Sequence, residues 1–387
     1  MSSPPAAKPI LASIVERIHR GGPIRFGTFV ELSLYGPDGF FTGGRGAGRA
    51  GRDFVTSPEV GPLFGVCVAR ALDREWERDA EPDPFVVVEA GAGNGRLARE
   101  VLRAEPRCGP ALHYILVERS GALRDEQAAR LPLEPIADAL GPASRDGNED
   151  APVPVTGLGP VVSALDGMPA LSLDGVVLAN ELLDNLAFEI VQRTEAGWHE
   201  VRVGLDTDER LAEVLVPAAP DLAVWVESVD APVGTRLPVA TEAVEWIVNA
   251  ASLLHRGALV LIDYTASWSE LVARNGGWLR TYAGQARGSD PLVAPGSQDI
   301  TIDLPLDMLH LAARRAGLSV ARESTQAAWL WDLGIDELVA QGQAHWDANA
   351  AAPDLAAVAG RSRTSEAAAL TDRSGLGAHT VLILTKP

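Results

Sequence analysis

A glycine-rich turn carries the residues best suited to bind a cofactor. It follows a short apolar run and contains one acidic residue and three glycines at alternate positions: Glu89, Gly91, Gly93 and Gly95. A turn that bends sharply and leaves no Cβ between its backbone and a ligand requires glycine. Ligands bind at the carboxyl ends of parallel strands, where this turn is expected to lie. The spacing therefore predicts a cofactor site.

Two classes of cofactor fit such a turn. A dinucleotide fingerprint reads G-x-G-x-x-G and directs a helix N-terminus at a pyrophosphate, whereas here the third glycine comes one residue early. Glu89 would repel a pyrophosphate, but it can accept a hydrogen bond from the ammonium group of S-adenosylmethionine, directly or through water. The turn therefore favours S-adenosylmethionine, with S-adenosylhomocysteine as the product. An NAD-dependent oxidoreductase is the alternative.

A second acidic residue supports an adenosine ligand. The apolar run 114–117 ends at Glu118, roughly 20 residues past the glycines, where a carboxylate can accept hydrogen bonds from both ribose hydroxyls. This holds for NAD and for S-adenosylmethionine alike, so Glu118 does not choose between them. Asp138 follows a further predicted strand at 133–137 and is expected to contact the adenine amino group.

Asn180, Glu181 and Asp184 are the candidates for catalysis, since they follow the predicted strand 175–179. Methyl transfer is an in-line displacement at a sulfonium, so the protein aligns donor and acceptor and removes the acceptor's proton. If the acceptor is a cation such as a guanidinium, whose pKa lies above ~12, paired carboxylates could hold it. If a helical turn begins at Asn180, the three side chains share one face. In the alternative, Asn180 caps a helix and the acids complement its dipole.

The elements that must position these residues alternate between strands and helices, which predicts an α/β fold with a doubly wound, mostly parallel sheet. Besides the runs already given, strands are expected at 85–88, 160–164, 258–262, 318–321 and 380–384. Helices are expected at 10–20, 26–35, 57–76, 97–104, 121–130, 241–254 and 354–371, with further helical sequence between 312 and 339. Ser57 is predicted to cap the third of these, with Pro58 at its first helical position.

The same patterns divide the chain into four consecutive segments. These are an N-terminal helical region at 1–80, a cofactor-binding core at 81–187, an inserted β-hairpin and strand at 188–240, and the rest of the core at 241–387. The last segment includes C-terminal helices and a glycine-rich stretch at 265–300, which is expected to be a long loop.

Composition narrows the possible partners and location. The net charge of −19 opposes nucleic acid and favours a cationic substrate. Residues 1–9 lack the pattern of a secretory signal and no apolar run reaches ~18 residues, so no membrane span is expected. Cys67 and Cys108 have no paired spacing and the seven histidines are scattered, which predicts no metal site and a reducing, cytoplasmic location. A homodimer is left open.

Several segments resemble a known family. They are residues 29–42 (FVELSLYGPDGFFT), 51–65 (GRDFVTSPEVGPLFG), 179–186 (ANELLDNL), 261–264 (LIDY), 296–301 (GSQDIT) and 375–377 (GLG). They are similar to the bacterial relatives of the mitochondrial complex I assembly methyltransferase. Two departures bear on the acceptor: Thr265 stands where many relatives have glycine, and Ile302-Asp303 replaces a common His-Val pair.

The resemblance implies a class I methyltransferase (Rossmann-like) fold, S-adenosylmethionine as donor and, for the mitochondrial member, arginine methylation on a subunit of the respiratory NADH dehydrogenase. Thr56 and Ser57 lie in its N-terminal signature and are predicted to close over the cofactor, although capping alone accounts for Ser57. The predicted function is protein arginine methylation, on a protein or peptide substrate. The alternatives are a small-molecule or peptide methyltransferase and a non-catalytic assembly factor that binds the donor.

Overall fold

The computed structural model describes residues 9–42, 56–136, 157–170, 172–283 and 286–386. The chain forms two compact units, each assembled from three separate stretches. The unit that we call the core unit comprises Val55–Glu181, Asn249–Asp263 and Ala316–Pro387. The accessory unit comprises Met1–Phe54, Leu182–Val248 and Tyr264–Arg315. The sequence indicated four consecutive segments instead, because pairing between distant stretches leaves no local signal.

The core unit is built on a sheet that, within the described residues, has seven strands. Their order across the sheet is Val161–Leu165, Leu112–Val117, Phe85–Ala90, Leu173–Asn180, Leu254–Asp263, Thr380–Lys386 and Ser319–Thr325. The first five are parallel to one another, and Thr380–Lys386 runs antiparallel to both of its neighbours. This confirms the predicted mostly parallel sheet. Chain order reverses between Phe85–Ala90 and Leu173–Asn180, where ligands bind in open α/β sheets.

Burial explains these strands. Every residue of Phe85–Ala90 and Leu112–Val117 is buried, and fully burying one Val or Leu side chain stabilises the fold by roughly 1.5–3 kcal/mol. Residues 133–136 form no strand, so the strand predicted at 133–137 is wrong over its described part. The third strand of this half of the sheet is Val161–Leu165. Both candidate runs are short, and length alone does not decide which one pairs.

Helices and two 3-10 turns complete the core unit. They are Ser57–Val60, Pro62–Arg78, Arg96–Arg103, Gly121–Arg130, Gln326–Asp332, Ile335–Asn349 and Leu355–Leu370, with 3-10 turns Gly109–Ala111 and Leu376–Ala378. The single helix expected at 57–76 is interrupted at Gly61, because Pro62 disfavours helical geometry in the residue before it. A Cβ on Gly61 would lie 2.2 Å from the Glu366 carboxyl carbon, and that carboxylate accepts from Leu63 N–H at 3.0 Å.

The accessory unit is mainly antiparallel. Its larger sheet pairs Ile24–Arg25, Glu189–Thr194, Gly197–Leu205, Leu211–Pro217 and Arg236–Val239, and includes the hairpin that the sequence predicted. Its helices are Pro9–Gly21, Phe26–Tyr35, Pro220–Val226, Trp268–Arg274 and Leu306–Arg315, with a 3-10 turn at Leu183–Asn185. Helix Thr241–Leu253 carries the chain from this unit to the core unit.

The stretch at 265–300 is not the long loop that its glycines suggested. Helix Trp268–Arg274 is capped by Ser267 and ends at Asn275, which has a φ of 40°. An antiparallel ribbon follows, with strands Leu279–Ala283, Ala286–Gly288 and Asp299–Ile302. Thr265–Ala266 pairs with Leu304–Pro305. The glycines therefore mark turns between short elements, which a composition-based expectation cannot separate from loop.

Candidate functional site

The glycine turn leaves the central strand as predicted. Gly91, Gly93 and Gly95 have φ values of 68°, 54° and 75°, in the left-handed region where side chains are strained. Gly95 N–H donates to the Ala92 carbonyl at 3.0 Å, and Gly95 then forms the N-cap of helix Arg96–Arg103. No atom lies within 4 Å of a Cβ built on Gly93. That open space fits a ligand lying against the backbone.

Glu118 holds the turn from the neighbouring strand. Its carboxylate accepts from Gly93 N–H at 3.0 Å and from Ser120 N–H at 2.8 Å. Burial raises the pKa of Glu118, whereas these two hydrogen bonds lower it. Gln127, which the sequence analysis missed, donates through Nε2 to the Gly93 carbonyl at 2.7 Å. Each carboxylate oxygen can accept a further hydrogen bond, as a ribose hydroxyl would require.

Glu89 is buried at the end of the central strand. Tyr114 donates its hydroxyl to Glu89 Oε2 at 2.8 Å. Burial raises the pKa of Glu89 to about 8, and the nearby Glu118 charge adds to the rise. The Tyr114 hydrogen bond lowers this pKa but does not offset the effect of burial. A cationic group placed beside Glu89 would favour the ionised carboxylate and reverse this shift. The site thus fits an ammonium group, as the sequence analysis expected.

Thr56, and not Ser57 as predicted, caps the helix that begins here. Thr56 is the N-cap of helix Ser57–Val60, so Ser57 is its first helical residue and does not cap it. Thr56 N–H donates to Glu59 Oε2 at 3.2 Å. Ser57 N–H donates to Glu181 Oε1 at 3.0 Å, and the Ser57 hydroxyl donates to Gln326 Oε1 at 3.0 Å. The Thr-Ser pair is a tandem of good caps, and sequence alone misplaced the boundary by one residue.

The helical turn predicted to begin at Asn180 is absent. Asn180 is the last residue of strand Leu173–Asn180, and Glu181 N–H still donates to the Ile262 carbonyl at 2.8 Å. Glu181 then adopts a φ of 51°, which breaks the strand before a helix can start. Asn180 Nδ2 donates to Glu181 Oε1 at 3.3 Å, while Asn180 Oδ1 is buried with no donor among the described residues.

Asp184 lies in the accessory unit, in the 3-10 turn Leu183–Asn185. It is 3% exposed. Burial raises the pKa of Asp184 to about 7; Arg280 lowers it and Asp303 raises it. Of these partners, Arg280 and its neighbours lie in the stretch 265–300 that the sequence predicted to be a loop. The local spacing that singled out Asp184 could not reveal them, because they lie about a hundred residues further along the chain.

The remaining predictions concern Asp138, metal binding, membrane spans and the two cysteines. Asp138 lies outside the described residues. Across the described part of the chain, no group of three or more metal-binding side chains is close enough to hold an ion. In that same part, no helix is long and apolar enough to cross a membrane. Cys67 and Cys108 are buried free thiols, and burial raises the pKa of Cys67 to about 12.

Comparisons with known proteins agree with this geometry. A family model described as "Putative S-adenosyl-L-methionine-dependent methyltransferase" matches residues 67–324. Mitochondrial protein arginine methyltransferase NDUFAF7 of Mus musculus is 27% identical over 350 residues, which cover 85% of this chain and 74% of the relative. Its Homo sapiens counterpart is 27% identical over 342 residues, with the same coverage of both chains.

A solved structure is similar over nearly the whole chain. A Burkholderia thailandensis protein with S-adenosyl-homocysteine bound superposes with a TM-score of 0.79 at 26% identity, covering 99% of this chain and 95% of that one. The class I methyltransferase fold and the S-adenosylmethionine cofactor are thereby confirmed.

The expected cytoplasmic location is wrong by the same comparisons, since the named relatives are mitochondrial. Two free thiols indicate a reducing environment without specifying which compartment provides it. On the family match, the glycine turn and the sheet order, the chain belongs to the S-adenosyl-L-methionine-dependent methyltransferase family, whose members are enzymes that use this donor.

Proposed function

We propose that the chain methylates arginine side chains of a protein. The observation that carries the proposal is the similarity to named protein arginine methyltransferases over 85% of the chain. A buried acid beside an arginine, as at Asp184, suits chemistry on a strongly basic acceptor. The net charge of −19 also favours a cationic protein over an anionic one.

We assign donor binding to the glycine turn and its two acids. When bound, S-adenosylmethionine supplies a methyl group on a positively charged sulfur. Glu89 would accept from its ammonium group and Glu118 from its ribose hydroxyls, while Gly91, Gly93 and Gly95 keep side chains out of its path. The left-handed glycines and the open space at Gly93 support this assignment.

We assign acceptor handling to Asn180, Glu181 and Asp184. The buried Asn180 Oδ1 fits a ligand N–H donor. Glu181 is held by Ser57 N–H and by the Asn180 amide, which supports a positioned carboxylate. A guanidinium nitrogen attacks the methyl carbon as the carbon–sulfur bond breaks, and the acceptor must release one proton. With a pKa of about 7, Asp184 is suited to receive it near neutral pH.

Thr56 and Ser57 act in this proposal by positioning. Ser57 N–H orients Glu181, and the Ser57 hydroxyl ties the same helix to Gln326, which in turn donates to the Leu370 carbonyl at 3.1 Å. Thr56 sets where that helix begins. Neither side chain needs to contact the donor for this role.

Replacing the acid tests the proposed function. With labelled donor and cell lysate, we expect the native chain to produce methylarginine in protein and Asp184→Asn to lower the rate by about 10²-fold, a typical acid–base contribution. S-adenosylhomocysteine affinity should not change. Asp230→Asn, at an exposed aspartate of the accessory unit, is the matched control.

The labelling experiment and a test of cellular function with the same variant separate the alternatives. Label found only in small molecules would refute a protein acceptor. Full cellular function of Asp184→Asn without turnover would favour the assembly factor that binds the donor.

A further inference from the structure

One face of the ribbon in the accessory unit is polar although it is buried. Arg280 pairs with Thr301 and Tyr282 pairs with Asp299 across the two strands. Because side chains alternate, these four share a face with Asp303, two residues beyond Thr301. Arg280, Asp299, Thr301 and Asp303 are each at most 7% exposed. Buried strand faces are normally apolar, since burying polar groups is costly unless they are hydrogen-bonded.

The 3-10 turn of the same unit packs against this face. Asn185 Nδ2 donates to Asp299 Oδ1 at 2.8 Å and to the Ile300 carbonyl at 3.1 Å. Asp184, the preceding residue, interacts electrostatically with Arg280 and Asp303. The proposed catalytic acid and the polar face therefore belong to one buried cluster within the accessory unit.

Arg280 is only partly satisfied in this cluster. Its Nη1 donates to Asp303 Oδ1 at 2.5 Å, and its guanidinium carbon lies 4.5 Å from the centre of the Tyr264 ring. Its Nε and Nη2, together with Thr301 Oγ1, are buried and have no hydrogen-bond partner among the described residues. Leaving such groups unsatisfied is costly, so a ligand that supplies an acceptor here would be favoured.

The charges of the cluster indicate which acceptor fits. The cluster contains two arginines, Arg274 and Arg280, and three aspartates, Asp184, Asp299 and Asp303. Arg274 and Arg280 both pair with Asp303. A carboxylate or phosphate would add negative charge to a group that already has an excess of acids, whereas a neutral carbonyl oxygen adds none. One carbonyl oxygen has two lone pairs and can accept two hydrogen bonds.

We propose that Arg280 and Thr301 form a recognition site for a main-chain carbonyl of a polypeptide acceptor, whose oxygen accepts one hydrogen bond from the unsatisfied edge of the Arg280 guanidinium and one from the Thr301 hydroxyl. The inference rests on the proposed function, because it requires the acceptor to be a polypeptide. It identifies what distinguishes a peptide from a free guanidine: the peptide bond next to the reacting side chain. Arg280 and Thr301 are positioning residues in this scheme.

Thr301→Val is the test, with Thr281→Val as its matched control on the opposite face of the same ribbon. Arg280 is unsuitable for substitution, because its removal would take an ion-pair partner from the buried Asp303. The probe is a fluorescein-labelled, capped Gly-Arg-Gly-Gly-Arg-Gly peptide, bound to the S-adenosylhomocysteine-loaded protein and followed by anisotropy. The competitor is N-butylguanidine, which has a guanidinium and no carbonyl.

We expect Thr301→Val to weaken peptide binding about tenfold and to leave N-butylguanidine competition unchanged. Its melting temperature should stay level or rise, because the hydroxyl that it removes has no partner in the fold. Equal peptide affinities for Thr301→Val and Thr281→Val would overturn the inference, as would an equal loss for N-butylguanidine or no peptide binding by the native chain. Failure of the proposed function is detected separately, by labelling of small molecules alone in lysate.

Discussion

Glu89 binds its proton more tightly in the folded core unit than in an unfolded chain. Its pKa rises from an ordinary value near 4.5 to about 8, chiefly through burial. Between those two values the folded state holds more protons than the unfolded state, so the free energy of unfolding falls as the pH rises through this window. The residue therefore reduces the stability of the ligand-free protein at alkaline pH, and its presence calls for a functional reason.

Cofactor binding should release a proton from Glu89. An ammonium group beside the carboxylate favours the ionised form, so affinity for S-adenosylhomocysteine should increase as the pH rises toward about 8. Glu89→Gln should weaken S-adenosylhomocysteine binding and remove this pH dependence. At a pH above 8, it should also raise the melting temperature of the ligand-free protein. Calorimetry in two buffers of different ionisation enthalpy counts the protons.

Glu105→Gln, at an exposed glutamate of the same unit, is the control for this measurement and should leave proton release unchanged. Equal proton release by the native protein and Glu89→Gln would assign the ammonium contact to another residue.

The glycine turn contains one glycine that leaves space for a ligand and another that the packing of the core requires. Both Gly93 and Gly95 have a positive φ, so alanine at either position costs roughly 1–2 kcal/mol of backbone strain. A Cβ on Gly95 would also lie 3.0 Å from Leu131 Cδ1 and 3.2 Å from Leu116 Cδ2, whereas one on Gly93 meets no atom within 4 Å. The two glycines are thus required for different reasons.

Gly93→Ala and Gly95→Ala should differ in what they lose. Gly93→Ala should lower S-adenosylhomocysteine affinity sharply with a modest fall in melting temperature, because its methyl group enters the open space. Gly95→Ala should lower the melting temperature more, because its methyl group crowds the packed core. Calorimetry and thermal unfolding of both variants check this, and a larger affinity loss for Gly95→Ala would contradict the assignment of that space to the ligand.

Local pattern was enough to predict the glycine turn and the two acids beside it. Glu89 and Glu118 each lie within one residue of the end of a short buried strand, and paired parallel strands bring their ends together, so their sequence positions sufficed. Gln127 was missed because a helix residue facing the turn looks like any other polar helix residue in sequence. The supposed turn at Asn180 failed because the ladder to Ile262, a long-range contact, extends the strand by one residue.

The accessory unit could be predicted only in part. Its hairpin was visible because Glu189–Thr194 and Gly197–Leu205 are neighbours in sequence. The polar ribbon was not visible in sequence. Its polar and apolar side chains alternate, and such a pattern indicates a solvated polar face until the packing against Leu183–Asn185 is known. Arg280 and Thr301 are pairing partners yet were never grouped by the sequence analysis.

For the molecule as a whole, charge is the property with the longest range. The chain has 52 acidic and 33 basic residues, and its net negative charge creates a field that attracts cationic polypeptides before any contact forms. The Debye length falls from roughly 30 Å at 0.01 M ionic strength to roughly 3 Å at 1 M. Long-range attraction should therefore be strong at low ionic strength and nearly absent at high ionic strength.

Methylation of a cationic peptide should accordingly depend on salt. Across that range we expect kcat/KM for the doubly charged Gly-Arg-Gly-Gly-Arg-Gly peptide to fall about tenfold or more. A matched peptide with glutamine at the second arginine should lose less, because it carries half the charge. Affinity for S-adenosylhomocysteine, which is neutral overall near pH 7, should barely change. Equal salt dependence for the two peptides would show that short-range contacts alone set the acceptor's affinity, and the whole-molecule charge would then have no part in substrate capture.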